Sequence, residues 1–191
     1  MQKYTLDEDS WITIDAIPKD IIYNFDDLWN LHPQDYGKIK FMNEVISVPR
    51  YQQQYGKSYW FSGMKHEALP VPEILEPFIE WCNTLGYGNF NGLLLNWYEN
   101  GLKYIGKHAD DESNLIKGSA IIAISLGADR KFRIRCKKTD KIIHDINLFD
   151  KSYVVMGGKM QQKYTHEIVK INGKKGENTG KRISLTFRQF M

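Results

Sequence analysis

Two cysteines, Cys82 and Cys136, are all that 191 residues contain, too few for a disulfide framework. A reducing setting follows, and the expected location is intracellular, nucleus or cytoplasm. No run of about 18 apolar residues occurs, which excludes a membrane-spanning helix, and mean hydropathy is −0.49. The opening M-Q-K-Y-T-L-D-E-D-S-W lacks a basic stretch followed by an apolar one, so no secretory export is expected. Internal repeats, low-complexity tracts and Pro/Gly/Ser linkers are also missing. One domain spanning 1–191 is therefore expected.

What is present is ordinary for a globular chain: 42% hydrophobic and 26% charged residues, which rules out a disordered or fibrous protein. The net charge of +3 conceals a split. Residues 1–100 carry 7 Lys/Arg against 14 Asp/Glu, a net −7, whereas residues 101–191 carry 19 against 9, a net +10. Such asymmetry hints at a polyanionic partner for the C-terminal half.

The N-terminal part predicts a strand over 11–17 and a helix over 19–30. Its apolar positions Ile21, Ile22, Phe25, Leu28 and Trp29 recur at helical spacing, and Pro18 suits a helix entrance. A second helix is predicted over 72–85, with Ile74, Leu75, Phe78, Ile79 and Trp81 as its buried stripe and Gly86 as its stop. After Gly88 the texture turns to short segments rich in Ile, Val, Phe and Tyr, at 89–99, 119–126, 131–137, 152–156 and 181–190. Helices followed by many short strands predict an α+β fold with a jelly-roll antiparallel sheet.

Polar residues fall on one face with unusual regularity. In K-R-I-S-L-T-F-R-Q-F, Arg182, Ser184, Thr186 and Arg188 share one strand face, and Ile183, Leu185 and Phe187 the other. Asn96 and Tyr98 share a face likewise, and His108 and Asp110 are two apart in K-H-A-D-D-E. A solvent-facing sheet alternates in the same way without any function, and H-x-D arises often by chance. The combination is more telling. His108-x-Asp110, a distant His166 and then Arg182 fit a 2-His-1-carboxylate facial triad, in which imidazoles and a carboxylate cover one side of Fe(II). An arginine beyond the second histidine would anchor a dicarboxylate through a bidentate pair.

Seven stretches, in order, carry a family likeness: V-P-R-Y-Q-Q-Q-Y-G (48–56), F-S-G (61–63), L-L-N-W-Y-E-N-G (94–101), I-G-K-H-A-D-D-E (105–112), A-I-S-L-G-A-D-R-K-F (123–132), Y-T-H (164–166) and R-I-S-L-T-F-R (182–188). With them the chain resembles the AlkB family of Fe(II)/2-oxoglutarate-dependent dioxygenases, nearest its eukaryotic-type DNA-repair members. The resemblance implies a double-stranded β-helix (jelly roll) with N-terminal helices packed on the sheet and a nucleotide-recognition lid at 41–66. It implies Fe(II) on His108, Asp110 and His166, with 2-oxoglutarate and O2 as co-substrates. Arg182 would bind the distal carboxylate of 2-oxoglutarate, Arg188 would sit near its keto-acid end, and Asn96, Tyr98, Ser184 and Thr186 would line the same face. The activity implied is oxidative dealkylation of N1-methyladenine and N3-methylcytosine in DNA. Decarboxylation of 2-oxoglutarate is coupled to methyl hydroxylation and formaldehyde release, by a monomer that does not engage membranes.

Such lesions are cationic, so a carboxylate should favour them; Asp111 and Glu112 are the candidates, although Asp111 could instead pair with Arg50, which resembles a lesion-pocket arginine. Tyr59, Trp60 and Phe61 lie where the family stacks the flipped base, Tyr59 being expected to sandwich it against His166. Met42, with Phe41 beside it, aligns with the side chain that duplex-acting relatives insert into the vacated gap. Two basic tracks suit phosphates: the alternating Lys131, Arg133, Arg135 and Lys137, and a flexible loop over 170–181. Three other readings stand beside this one. They are the same chemistry on RNA or single-stranded DNA, a protein or small-molecule hydroxylase, and a non-catalytic jelly-roll binding module.

Overall fold

The computed structural model describes residues 1–42, 44–61 and 64–191, without the side chains of Phe41, Trp60, Phe61 and Met64. Among the described residues the chain opens with β1 (Gln2–Asp7) and β2 (Ser10–Ala16), then α1 (Phe25–Trp29). Two hairpins and their neighbours follow as β3 (Lys38–Phe41), β4 (Glu44–Ser47), β5 (Tyr51–Gly56), β6 (Tyr59–Phe61), β7 (Met64–His66) and β8 (Ala68–Leu69). Helix α2 (Glu76–Thr84) leads to β9 (Gly92–Tyr98), β10 (Ile105–His108), β11 (Ile121–Gly127) and β12 (Arg130–Cys136). The remainder is β13 (Ile142–Leu148), β14 (Ser152–Gly158), α3 (Met160–Lys163), β15 (Tyr164–Ile168), α4 (Gly173–Glu177) and β16 (Arg182–Arg188).

Eight strands form the large sheet in the order β1-β2-β14-β11-β16-β9-β5-β8, and β10-β15-β12-β13 form a smaller one. Strands β3–β4 and β6–β7 stand apart as hairpins. The central strands of the large sheet are buried on both faces, which is why they read as nearly continuous apolar runs. One face carries Leu93, Leu95, Trp97, Ile122, Ile124, Ile183, Leu185 and Phe187, packed under Leu28, Trp29, Phe78 and Cys82 of the two helices. The other faces the small sheet, where Ile12, Ile14, Ile121, Val154 and Met156 meet Phe132, Ile134, Ile146, Leu148 and Ile168. This is the α+β jelly roll the sequence predicts.

Three expectations need correction. The helix predicted over 19–30 is confined to Phe25–Trp29, because the Asn24 side chain accepts from the Asp26 and Asp27 amides and caps the helix there; Ile22 is left exposed. The second helix is a 3₁₀ turn, Glu73–Leu75, leading into α2 with Pro77 in its first turn. Its stripe also differs, since Cys82 is fully buried while Ile74, Ile79 and Trp81 are only partly so. The basic segment over 170–181 contains α4, tied back to the chain by Gly101 N–H donating to the Gly176 carbonyl and Ile171 N–H donating to the Gly101 carbonyl, both at 2.8 Å.

Strand register carries the sheet to the site. Ser184 pairs with Ser125 on one side and Asn96 on the other, and Asn96 pairs with Gln52. One polar row thus crosses β11, β16, β9 and β5 on the face opposite the helices.

Candidate active site

That polar row floors a cavity of about 570 Å³ between the sheets. His108 ends β10, and β10 pairs with β15 so that His108 sits opposite His166. Asp110 follows two residues later, fully within the wall. The ligand-capable atoms of His108, Asp110 and His166 all lie within 4.8 Å of one another, and no other such group of three occurs among the described residues. His166 Nε2 is 3.6 Å from Asp110 Oδ2. His108 directs Nδ1 to the Gly106 carbonyl at 2.9 Å, which leaves its Nε2 for a ligand.

The charge states suit a cation. Burial lowers both histidines despite the nearby Asp110, His166 to about 3, so both are neutral imidazoles at neutral pH. Burial would raise Asp110, but Arg188, His166 and His108 outweigh it and bring the carboxyl down to about 2. Two neutral imidazoles beside an ionised carboxylate are the donor set that an Fe(II) ion fits.

At the other end of the cavity Arg182 is 1% exposed, and among the described residues no carboxylate pairs with it. Its Nε donates to Ser125 Oγ at 2.9 Å, its guanidinium lies 5.1 Å from the Tyr98 ring centre, and its Nη1 has no partner. Burial depresses its pKa, the sign of a cation short of an anion. A second buried arginine, not anticipated from the sequence, lies beyond Tyr98. Arg130 sits 5.6 Å from the same ring and donates to the carbonyls of Asn100, Gly101, Lys103 and Val169. Burial and the charge on Arg182 lower it to about 10. Two buried guanidiniums make this end strongly positive, and an unpartnered donor aimed at a cavity fits a carboxylate such as that of 2-oxoglutarate.

Of the residues expected at the site, Arg50, Tyr59, Asn96, Tyr98, His108, Asp110, Glu112, His166, Arg182, Ser184, Thr186 and Arg188 all line the cavity. Arg50 Nε donates to Asn96 Oδ1 at 2.8 Å, and because arginine only donates, the Asn96 amide N–H groups remain for a ligand. Arg188 lies beside the iron-ligand candidate Asp110, 2.5 Å from its Oδ1 and 3.1 Å from Glu112 Oε1, with Nε left without a hydrogen-bond partner among the described residues.

Asp111 and Glu112 diverge. Asp111 turns outward to Lys137 at 3.1 Å, so the expected Asp111–Arg50 pair is not formed. Glu112 points inward, and burial, against the pull of Arg188, raises it to about 7. Tyr59 is buried and stacks on His66 and Phe190, at 4.9 and 5.7 Å between ring centres. His166 lies instead against His108 and Phe132. The rings expected to sandwich a base are thus packed on protein partners. The side chains of Trp60, Phe61 and Phe41 lie outside the described residues. Met42 is 84% exposed at the turn after β3, with φ of 48°.

Sequence reasoning missed Tyr104, Phe132 and Met156 in the wall, whose apolar character carries no motif. It also overrated one basic track. Lys131 and Arg133 pair with Asp145, Arg135 with Glu167 and Lys137 with Asp111, so three carboxylates offset most of the charge of that strand face.

A jelly roll with a His–Asp–His cluster facing a buried arginine defines the class, that of the 2-oxoglutarate-dependent iron oxygenases. The description "2OG-Fe(II) oxygenase superfamily" matches residues 36–188. The chain belongs to this superfamily, which uses Fe(II), 2-oxoglutarate and O2. Human DNA oxidative demethylase ALKBH2 is 39% identical over 104 residues, covering 53% of this chain and 40% of that protein. Rat alpha-ketoglutarate-dependent dioxygenase alkB homolog 3 is 29% identical over 153 residues, covering 73% and 50%. The chain therefore spans half or less of the length of these relatives. The solved structure of OsALKBH1 superposes with a TM-score of 0.62 at 17% identity, over 98% of this chain and all of that one, which shows the fold.

Proposed function

We propose that this chain oxidatively removes N-alkyl groups from bases in DNA, with N1-methyladenine and N3-methylcytosine as substrates. One observation carries the reading: the gathered His108, Asp110 and His166 share a cavity with Arg182, whose Nη1 has no partner among the described residues. His108, Asp110 and His166 would hold Fe(II). Arg182, with Tyr98, Asn96, Ser184 and Thr186, would hold 2-oxoglutarate. When bound, iron would let O2 oxidise 2-oxoglutarate to succinate and CO2 and hydroxylate an N-methyl group, one oxygen atom going to each, and the hydroxymethyl product would release formaldehyde to leave the unalkylated base.

The chain's own residues do the rest. Arg188 keeps Asp110 ionised and in place. Leu94, Ala123, Phe132, Leu148 and Met156 keep water from the reacting methyl. Glu112 supplies a negative charge for the cationic base, and its Oε2 is buried without a hydrogen-bond partner. Segment 41–66 acts as the nucleotide-recognition lid: Ile46 of the first hairpin lines the cavity, and Met42 at its tip fills the gap left by a flipped base. With the β12 cations largely ion-paired, segment 170–181 is the main phosphate-binding track, engaging the backbone without reading sequence.

Rates on an N1-methyladenine oligonucleotide, as duplex DNA, single-stranded DNA and RNA, test this reading. Duplex rates equal to or above the single-strand rates are expected from the Met42 wedge; much faster RNA turnover would favour an RNA substrate instead. Glu112→Gln should lower kcat/KM on N1-methyladenine by ~10-fold or more, since a hydrogen bond to a charged group contributes about 1.5–3 kcal/mol. An unchanged kcat/KM would remove Glu112 from base recognition.

A further inference from the structure

Asp110 is fixed at two points. Its carboxylate accepts from Arg188 on β16, and its backbone N–H donates to Gln161 Oε1 at 2.9 Å. Gln161 lies on α3, the turn that leads directly into β15 and His166. One side-chain amide therefore ties the segment bearing His108 and Asp110 to the segment bearing His166.

The orientation of that amide is determined by chemistry. A backbone N–H needs an acceptor, so the Gln161 oxygen faces Asp110. Its Nε2 is then left against the thioether sulfurs of Met156 at 3.3 Å and Met160 at 3.4 Å. Met160 is fully buried and Met156 lines the cavity. Thioethers accept only weakly, so the one strong bond of Gln161 is the bond to Asp110. Ordering a long polar side chain among sulfur and apolar groups costs conformational entropy and solvation, and the bond to Asp110 is the return visible in the structure.

We propose that Gln161 is a positioning residue for Asp110, holding the 108–110 backbone in register with His166 so that the three ligand atoms stay gathered. The proposal rests on the reading of those three residues as iron ligands. Groups that orient metal ligands contribute roughly 10–100-fold to metal affinity.

Anaerobic Fe(II) titration in the presence of 2-oxoglutarate, followed by the visible charge-transfer band of the chelate, tests it alongside melting of the metal-free protein. Gln161→Met keeps the length of the side chain and removes the acceptor; Gln161→Glu keeps an acceptor. Gln161→Met should raise half-saturating Fe(II) by ~10-fold or more with the metal-free melting temperature unchanged, while Gln161→Glu titrates close to wild type. Should Gln161→Met not fold, Gln161→Ala takes its place under the same comparison. Wild-type titration by the acceptor-less variant, equal weakening in Gln161→Glu, or loss only in step with melting temperature would overturn the proposal. A wild-type protein that forms no band would overturn the metal-site reading beneath it.

Discussion

Replacing His108 by alanine is expected to abolish turnover while leaving nucleic-acid affinity and folding largely intact. Residues that merely orient metal ligands contribute ~10–100-fold to metal affinity, so loss of a ligand itself should exceed that range. His108 is half-buried at the end of β10, and its side chain makes a single hydrogen bond to a backbone carbonyl, so truncation leaves no buried charge unpaired. Asp110→Ala should also abolish turnover, but with a cost to stability. It removes a carboxylate 2.5 Å from the buried Arg188, and breaking a buried ion pair costs about 3–5 kcal/mol. Assays of turnover, melting and oligonucleotide binding on the two variants check both halves. Retained turnover in His108→Ala would count against the triad, and equal stability of the two variants would count against the Arg188 pair.

The second large effect is on 2-oxoglutarate. Arg182→Met should raise the concentration needed for half-maximal turnover by ~30-fold or more, because truncating one partner of a buried, hydrogen-bonded charge pair costs about 2–5 kcal/mol. Physically, among the described residues Arg182 meets Ser125 Oγ and the Tyr98 ring and no carboxylate, and Arg130 behind Tyr98 adds a second uncompensated charge. Methionine keeps much of the side-chain volume and removes the fork of donors. Titrating 2-oxoglutarate in steady-state assays gives the shift, with the variant's melting temperature as the control. An unchanged requirement would remove Arg182 from that role.

Much of this site was legible in the sequence because strand alternation is a strict period of two. Arg182, Ser184, Thr186 and Arg188 line the cavity, while Ile183, Leu185 and Phe187 are buried beneath the helices. Past the end of β10, Asp110 and Glu112 are buried at the cavity while Asp111 between them is exposed and faces Lys137, a difference that no strand period predicts. What stayed hidden depends on tertiary pairing. Strand β15 is five residues long, Tyr164–Ile168, and gives too short a pattern to read as a strand around His166. Strand β13, at the edge of the small sheet, mixes exposed Ile142 and Ile143 with His144 and Asp145 and blurs the period. The apolar spacing at 19–30 looked helical, but Asn24 starts the helix late. Gln161 carries no motif, and Arg130, although inside the quoted stretch 123–132, gives no sign of its role there, because the partners of both are backbone groups brought near only by the fold. The charges of β12 showed the opposite failure, being visible in sequence while their partners Asp145 and Glu167 were not.

The half-to-half charge split also changes meaning. Arg130, Arg182 and Arg188 belong to the interior, and the β12 cations to ion pairs, so the excess in the second half overstates the surface left for phosphate.

The most direct measurement is release of formaldehyde from an N1-methyladenine oligonucleotide, with each of Fe(II), 2-oxoglutarate and O2 omitted in turn. The account predicts conversion to adenine with all three present and none when any one is left out. Formation of the Fe(II)–2-oxoglutarate chelate with no conversion of this lesion or of N3-methylcytosine, in any strand context, would contradict it.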